Sequence, residues 1–98
     1  MTYYYLKLQF NIMINLEITQ QNIEEAEKDN LFKTPTVLAL SKLSNEKVFE
    51  VNNKIYFNNL PYYIELPLVV QFFHSCFQNG NKILPFNCEL EIKECLPF

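Results

Sequence analysis

Along residues 6–18 apolar and polar side chains alternate without interruption. Leu6, Leu8, Phe10, Ile12, Ile14, Leu16 and Ile18 fall on one side, and Lys7, Gln9, Asn11, Met13, Asn15 and Glu17 on the other. A side-chain period of two is that of an extended strand with one buried and one wet face. Strands usually run to about five or six residues, so this one, rising ~3.3 Å per residue, is unusually long. The alternation stops at residue 18. Over residues 20–30 only Ile23 and Ala26 offer an apolar stripe, and Thr19 or Asn22 can cap a short, weakly anchored helix. Glu24, Glu25 and Glu27 suit the positive end of its dipole. Thr34-Pro35 then closes it, because a residue before proline is pushed out of the helical region.

Residues 36–43 are rich in apolar side chains and read as the first strand of a three-stranded meander. A polar loop, Ser44-Asn45-Glu46-Lys47, leads to a second strand over 48–51. Asn52-Asn53 then forms a tight turn into a third over 54–57. Asparagine tolerates the positive φ that two-residue hairpin turns demand, which gives this turn a mechanism. Pro61 and Pro67 punctuate the stretch that holds Tyr62-Tyr63-Ile64.

The strongest helical pattern covers residues 66–78. Its polar residues after Pro67 are Gln71, His74, Ser75 and Gln78, spaced i, i+3, i+4, i+7, which draws one narrow polar stripe down an apolar cylinder. Pro67 suits the first turn and Asn79-Gly80 the left-handed exit. Such a helix is expected to be buried over most of its circumference. Of its adjacent rings, Phe73 is the one expected in the core. Finally Cys88, Leu90 and Ile92 alternate with Glu89, Glu91 and Lys93 in a half-exposed strand. The whole reads as an α+β fold in a single domain over residues 1–98. It has an antiparallel or mixed sheet with a long N-terminal strand, a three-strand meander and a C-terminal strand. One strongly buried helix near 66–79 and one weak helix near 20–30 complete it.

Composition removes several function classes. Gly80 is the only glycine. Phosphate cradles and nucleophile elbows need several, so that backbone can approach the ligand or turn sharply. Arginine is absent, and the eight lysines face eleven acidic residues for a net charge of −3. Nucleic-acid binders carry a basic patch in which arginine reads and stacks on bases, so the scattered lysines argue against such a partner. The longest charge-free stretch, residues 66–81, falls short of the ~20 residues that span a bilayer. No basic stretch leads into an apolar run at the N-terminus, so no secretory signal is expected. With three cysteines, an odd number, this points to the reducing cytoplasm.

The candidate chemistry is thin. His74 is the only histidine, and its helical neighbour Cys76 faces another way. Cys88 and Cys95 sit ~23 Å apart in an extended segment and point to opposite faces, so they do not bridge. The chain has no paired zinc spacing, and the run Glu24, Glu25, Glu27, Asp29 lacks the ligand alternation of a calcium loop. No catalytic residue, metal site or cofactor follows from the sequence.

The aromatic residues are more informative. Tyr3 and Tyr5 share the wet face of the first strand with Met13, and Tyr62 and Tyr63 lie where both cannot readily be buried. Tyrosine suits interfaces because its ring buries while its hydroxyl stays wet. The plainer alternative is that these rings cover sheet edges. The sequence thus suggests a small acidic non-enzymatic domain that occupies a partner protein's surface, as inhibitors, immunity proteins and accessory factors of mobile elements do. Tyr3, Tyr5, Met13, Tyr62 and Tyr63 would be its contacts. One alternative is a small-molecule or enzymatic pocket between the sheet and the 66–78 helix, using its polar stripe. Another is a subunit that acts by homodimeric assembly, with the long first strand pairing to another chain.

Overall fold

A computed structural model of the chain describes residues 12–94. Five strands form one sheet: β1 (Ile12–Ile18), β2 (Val48–Val51), β3 (Lys54–Phe57), β4 (Tyr62–Glu65) and β5 (Phe86–Glu94). Their order is β1-β5-β4-β3-β2, and every neighbouring pair is antiparallel. Among the described residues three helices accompany them: α1 (Gln20–Glu25), α2 (Pro35–Ser44) and α3 (Leu68–Gln78). The α+β class and the antiparallel sheet agree with the sequence.

The alternating pattern sets the two sides of the sheet. Ile14, Leu16 and Ile18 of β1 lie opposite Leu90, Cys88 and Phe86 of β5. Ile92, Ile64, Ile55 and Glu50 continue that side across the remaining strands. Leu16, Ile18, Ile55, Ile64 and Leu90 are almost completely buried there. From α2, Val37 and Leu40 join them, and from α3, Val70 and Phe73. The other side of the sheet carries Met13, Asn15 and Glu17 opposite Glu91, Glu89 and Asn87. The part of the long N-terminal strand before residue 12 lies outside the described residues. Its described part is paired along its full length, by β5 and not by the short hairpin strands.

Residues 36–43 are the main correction. They belong to α2, not to a strand. Thr34 does not end the preceding helix but caps this one, its Oγ1 accepting from the Val37 N–H at 3.1 Å. Pro35 sits in the first turn, where its missing N–H costs nothing. Asn45, at φ 58°, ends the helix in the left-handed conformation. The meander therefore consists of β2, β3 and β4, with Tyr62-Tyr63-Ile64 as its last strand. Asn52 and Asn53 adopt φ of 52° and 64°, as the two-residue turn requires.

Helix α1 is shorter than the sequence suggests. Thr19 and Asn22 cap it jointly: Thr19 Oγ1 accepts from the Asn22 N–H, and Asn22 Oδ1 accepts from the Thr19 N–H. Glu24 and Glu25 fall in its last turn rather than its first, so they gain nothing from the dipole's positive end.

Candidate functional site

Helix α3 is built as the periodicity indicates but is turned differently. Val70, Phe73 and Phe77 are its buried residues, so Phe73 is in the core as expected. Its ring lies 4.4 Å from that of Phe86. The helix is not buried over most of its circumference, however. Leu68 is 81% exposed, Phe72 71%, Leu84 just beyond the helix 67%, and Val69 61%. Three residues of the polar stripe, Gln71, His74 and Gln78, meet other groups of the protein on the side the helix turns toward it. Gln71 Nε2 donates to the Leu66 carbonyl at 2.8 Å, and Gln78 Oε1 accepts from the Asp29 N–H at 3.1 Å. His74 Nδ1 lies 3.2 Å from Glu50 Oε2, close enough to pair but out of line for a hydrogen bond. Of the stripe, His74 reaches a buried group, Gln71 and Gln78 are half-buried and Ser75 is exposed, while the apolar flank faces water.

Between that flank and the segment leading into β5 runs an apolar groove of about 400 Å³. Val69, Phe72 and Cys76 form one wall, Ile83 and Leu84 the other, with Phe73 and Phe86 lining it and Lys82 at the rim. Contiguous exposed apolar side chains around a concavity mark an interaction surface in a folded protein.

Glu50 centres a second cluster. It lies on the core side of β2, nearly buried, and Thr34 Oγ1 donates to its Oε1 at 3.0 Å. Burial raises the Glu50 carboxyl above its ordinary value, while the His74 ring and the Thr34 hydroxyl pull it back. Thr34 links α2, Glu50 links β2, and His74 links α3, so the cluster ties three elements together. The Thr34 hydroxyl faces the carboxylate rather than the imidazole, so it is not set up as a nucleophile beside a base. Gln71, His74 and Gln78 contact other groups of the protein, and Ser75 of the same stripe is exposed. Among the described residues, no three His, Cys, Asp or Glu side chains gather as a metal site. Cys76 and Cys88 are free thiols, and burial raises the Cys88 thiol.

The outer side of β2, β3 and β4 carries an aromatic row. Phe32 and Phe49 centroids are 5.6 Å apart, Phe49 and Tyr56 5.7 Å, and Tyr56 and Tyr63 6.3 Å. Lys47 Nζ covers the Phe32 ring at 5.0 Å and Lys54 Nζ the Tyr63 ring at 5.6 Å. Each ring of the row therefore has a neighbouring ring or a cation as a partner. The row covers the sheet.

Of the sequence-derived contacts, Tyr3 and Tyr5 lie outside the described residues, as does Cys95. Met13 is exposed on the outer side of β1, opposite Glu91. Tyr63 shares that side, across β5, in the aromatic row. Tyr62 points to the core side, its ring edge-on to Phe57 at 6.4 Å. The two tyrosines thus serve opposite sides. Leu68, Val69, Phe72 and Leu84 carry no sequence signal that separates them from core residues. Phe49 and Tyr56 do, since alternation within β2 and β3 places them opposite Glu50 and Ile55. No helix among the described residues is long and apolar enough to cross a membrane. No protein-family model, curated protein or solved structure matches the chain.

Proposed function

We propose that the protein is a non-enzymatic binding domain that occupies the surface of a partner protein through the outward flank of α3. One observation carries this reading: Val69, Phe72 and Leu84, all more than half exposed, border one apolar groove, and Leu68, exposed as well, precedes Val69 on the same helix. The helix buries Val70, Phe73 and Phe77 and leaves these further apolar side chains to water. The partner offers an apolar side chain to the groove, and a carboxylate near it would meet Lys82. Such a domain acts by stoichiometric occupation, as an inhibitor, immunity protein or accessory factor does. The free thiols Cys76 and Cys88 support a cytoplasmic setting.

The test is a photocrosslinking residue in place of Phe72 in the native host, with a second variant substituted at Glu89 on the outer sheet surface as control. The expected adduct forms from position 72 with a different protein and is absent from position 89. Once that protein is purified, Phe72→Asp should weaken its binding at least about tenfold while the circular dichroism spectrum is unchanged, as for a buried interface anchor. Adducts only with the chain itself, or equal binding by Phe72→Asp, would overturn the proposal.

A further inference from the structure

The sheet has two edges, and they are finished differently. At the β2 edge the Glu50 N–H donates to the Leu31 carbonyl at 3.0 Å, so the loop before α2 covers part of it. At the β1 edge, among the described residues, no loop makes a corresponding backbone hydrogen bond. β1 is also the longer of the two edge strands, seven residues against four. Its sequence, Ile-Met-Ile-Asn-Leu-Glu-Ile, contains no proline or lysine, and Glu17 is its one charge. Edges lacking such guards are templates for strand addition.

We propose that β1 pairs with β1 of a second copy, antiparallel and centred on Asn15, joining the two sheets into one. The strand is self-complementary about that centre. A two-fold axis through Asn15, perpendicular to the sheet, sets Asn15 opposite itself, Ile14 opposite Leu16, Met13 opposite Glu17 and Ile12 opposite Ile18. The pairs Ile14–Leu16 and Ile12–Ile18 both lie on the core side, so the apolar layer continues across the junction. The lone charge, Glu17, meets Met13 and not its own copy.

Beneath this edge runs a groove of about 500 Å³, lined by Leu16 and Glu17 of β1, Thr19 beside α1, and Ala39, Lys42 and Leu43 of α2. Leu43 is 59% exposed beside it, and Ile12 43% exposed at the start of the strand. A second copy entering along the edge covers both. The seven paired residues offer only ~23 Å of edge, so the dimer is expected to be weak and concentration-dependent. Such self-pairing is independent of the α3 surface.

The register makes a prediction that a general change in edge charge does not. Asn15→Lys sets two like charges directly opposite each other, whereas Met13→Lys sets a lysine opposite Glu17, twice by symmetry. Both positions are exposed on the outer side, where Glu89 and Glu91 face them within the sheet, so neither variant should disturb the fold. In sedimentation equilibrium across micromolar concentrations, wild type should show a monomer–dimer equilibrium. Asn15→Lys should weaken it roughly fivefold, and Met13→Lys should tighten it by a similar factor. The Phe72→Asp variant should dimerise as wild type does. A wild-type chain that stays monomeric, lysine variants that shift the equilibrium in the same direction or not at all, or a dimer abolished by Phe72→Asp would each overturn the proposal.

Discussion

Helices α2 and α3 lie on the same side of the sheet, and α3 has the more apolar sequence, yet α2 is the better buried. Helix α2 buries Pro35, Thr36, Val37, Ala39 and Leu40 of its ten residues; α3 buries Val70, Phe73 and Phe77 of eleven. The ends differ too. Thr34 caps α2 with its side chain and Asn45 closes it, while α3 begins at Pro67 with no side-chain cap. Local signals thus secure α2, and contacts distant in sequence orient α3. Buried Glu50 meets His74 on one side of the helix, Asp29 meets Gln78 at the surface, and the apolar flank lies exposed on another side. Apolar content alone does not mark the core. Which side of a helix is buried depends on where its polar groups find partners, since an unpartnered buried polar group costs about 1–3 kcal/mol.

The largest expected effects test whether both helices contribute to one core. Phe73→Ala in α3 should destabilise the protein by about 3–5 kcal/mol, and Leu40→Ala in α2 by about 2–5 kcal/mol. Both would be large fractions of a typical total of about 5–15 kcal/mol. Denaturant melts measure these losses. A loss below about 1 kcal/mol for either would place that helix outside the cooperative core.

Removing the local signal from α2 should come next. Thr34→Ala takes away the side-chain cap and the hydroxyl that donates to Glu50. The cap contributes about 1 kcal/mol and a hydrogen bond to a buried carboxylate about 1.5–3 kcal/mol, so a loss of roughly 2–4 kcal/mol is expected. Thr34→Ser keeps both interactions and should recover most of it. If serine fails where threonine succeeds, the methyl packing and not the hydroxyl is what α2 depends on.

Thr34 also shows how far the sequence could be read. Strand β1, the Asn52-Asn53 turn, the shared cap of Thr19 and Asn22, and the existence of α3 all rest on neighbours a few positions apart. Alternation, positive φ and helical spacing are local properties, so the sequence carries them openly. The same kind of signal was present in Thr34-Pro35, a cap followed by a first-turn proline, but a proline also ends helices and the pair reads both ways. The apolar run over 36–43 fits either a buried strand or a buried helix segment, which periodicity alone does not separate. The rotation of α3 is a different matter. It depends on Glu50, a strand carboxylate placed on the core side, and no pattern along the chain brings residues 50 and 74 together. The candidate site was therefore the least legible part, because exposed and buried apolar residues look alike until packing assigns them.

The Glu50 cluster is where the two helices meet through polar groups, and it should make their joint stability depend on pH. Burial holds the Glu50 carboxyl above its ordinary 4.5. The folded state therefore keeps this proton more tightly than the unfolded chain does. The stabilisation is full below about pH 4.5, is lost as pH rises through the raised value, and stays constant above it. Glu50→Gln should remove that slope. Glutamine can still accept from Thr34 and brings no charge into the core, so stability near neutral pH should stay within about 1 kcal/mol of wild type. Melts at a series of pH values compare the two curves. A variant that keeps the same slope would assign it to another group.

The smallest expected stability change carries the functional half of the comparison. Phe72 is the neighbour of Phe73 on α3, the same residue type on the same helix, but it is largely exposed where Phe73 is buried. Phe72→Ala removes a ring that mostly faces water, so the change in unfolding free energy should stay within about 0.5 kcal/mol. Leu68→Ala, more exposed still, should do the same. Binding should reverse the order: truncating an exposed aromatic that anchors an interface costs about 2 kcal/mol or more of affinity. Once a partner is in hand, titration calorimetry with Phe72→Ala and Leu68→Ala, set beside their melts, separates the two roles. If Phe72→Ala destabilises the chain as much as Phe73→Ala does, the flank belongs to the core and α3 is packed on both sides. If both variants melt and bind as wild type does, the apolar flank is an idle surface, and the contact must lie elsewhere on the molecule.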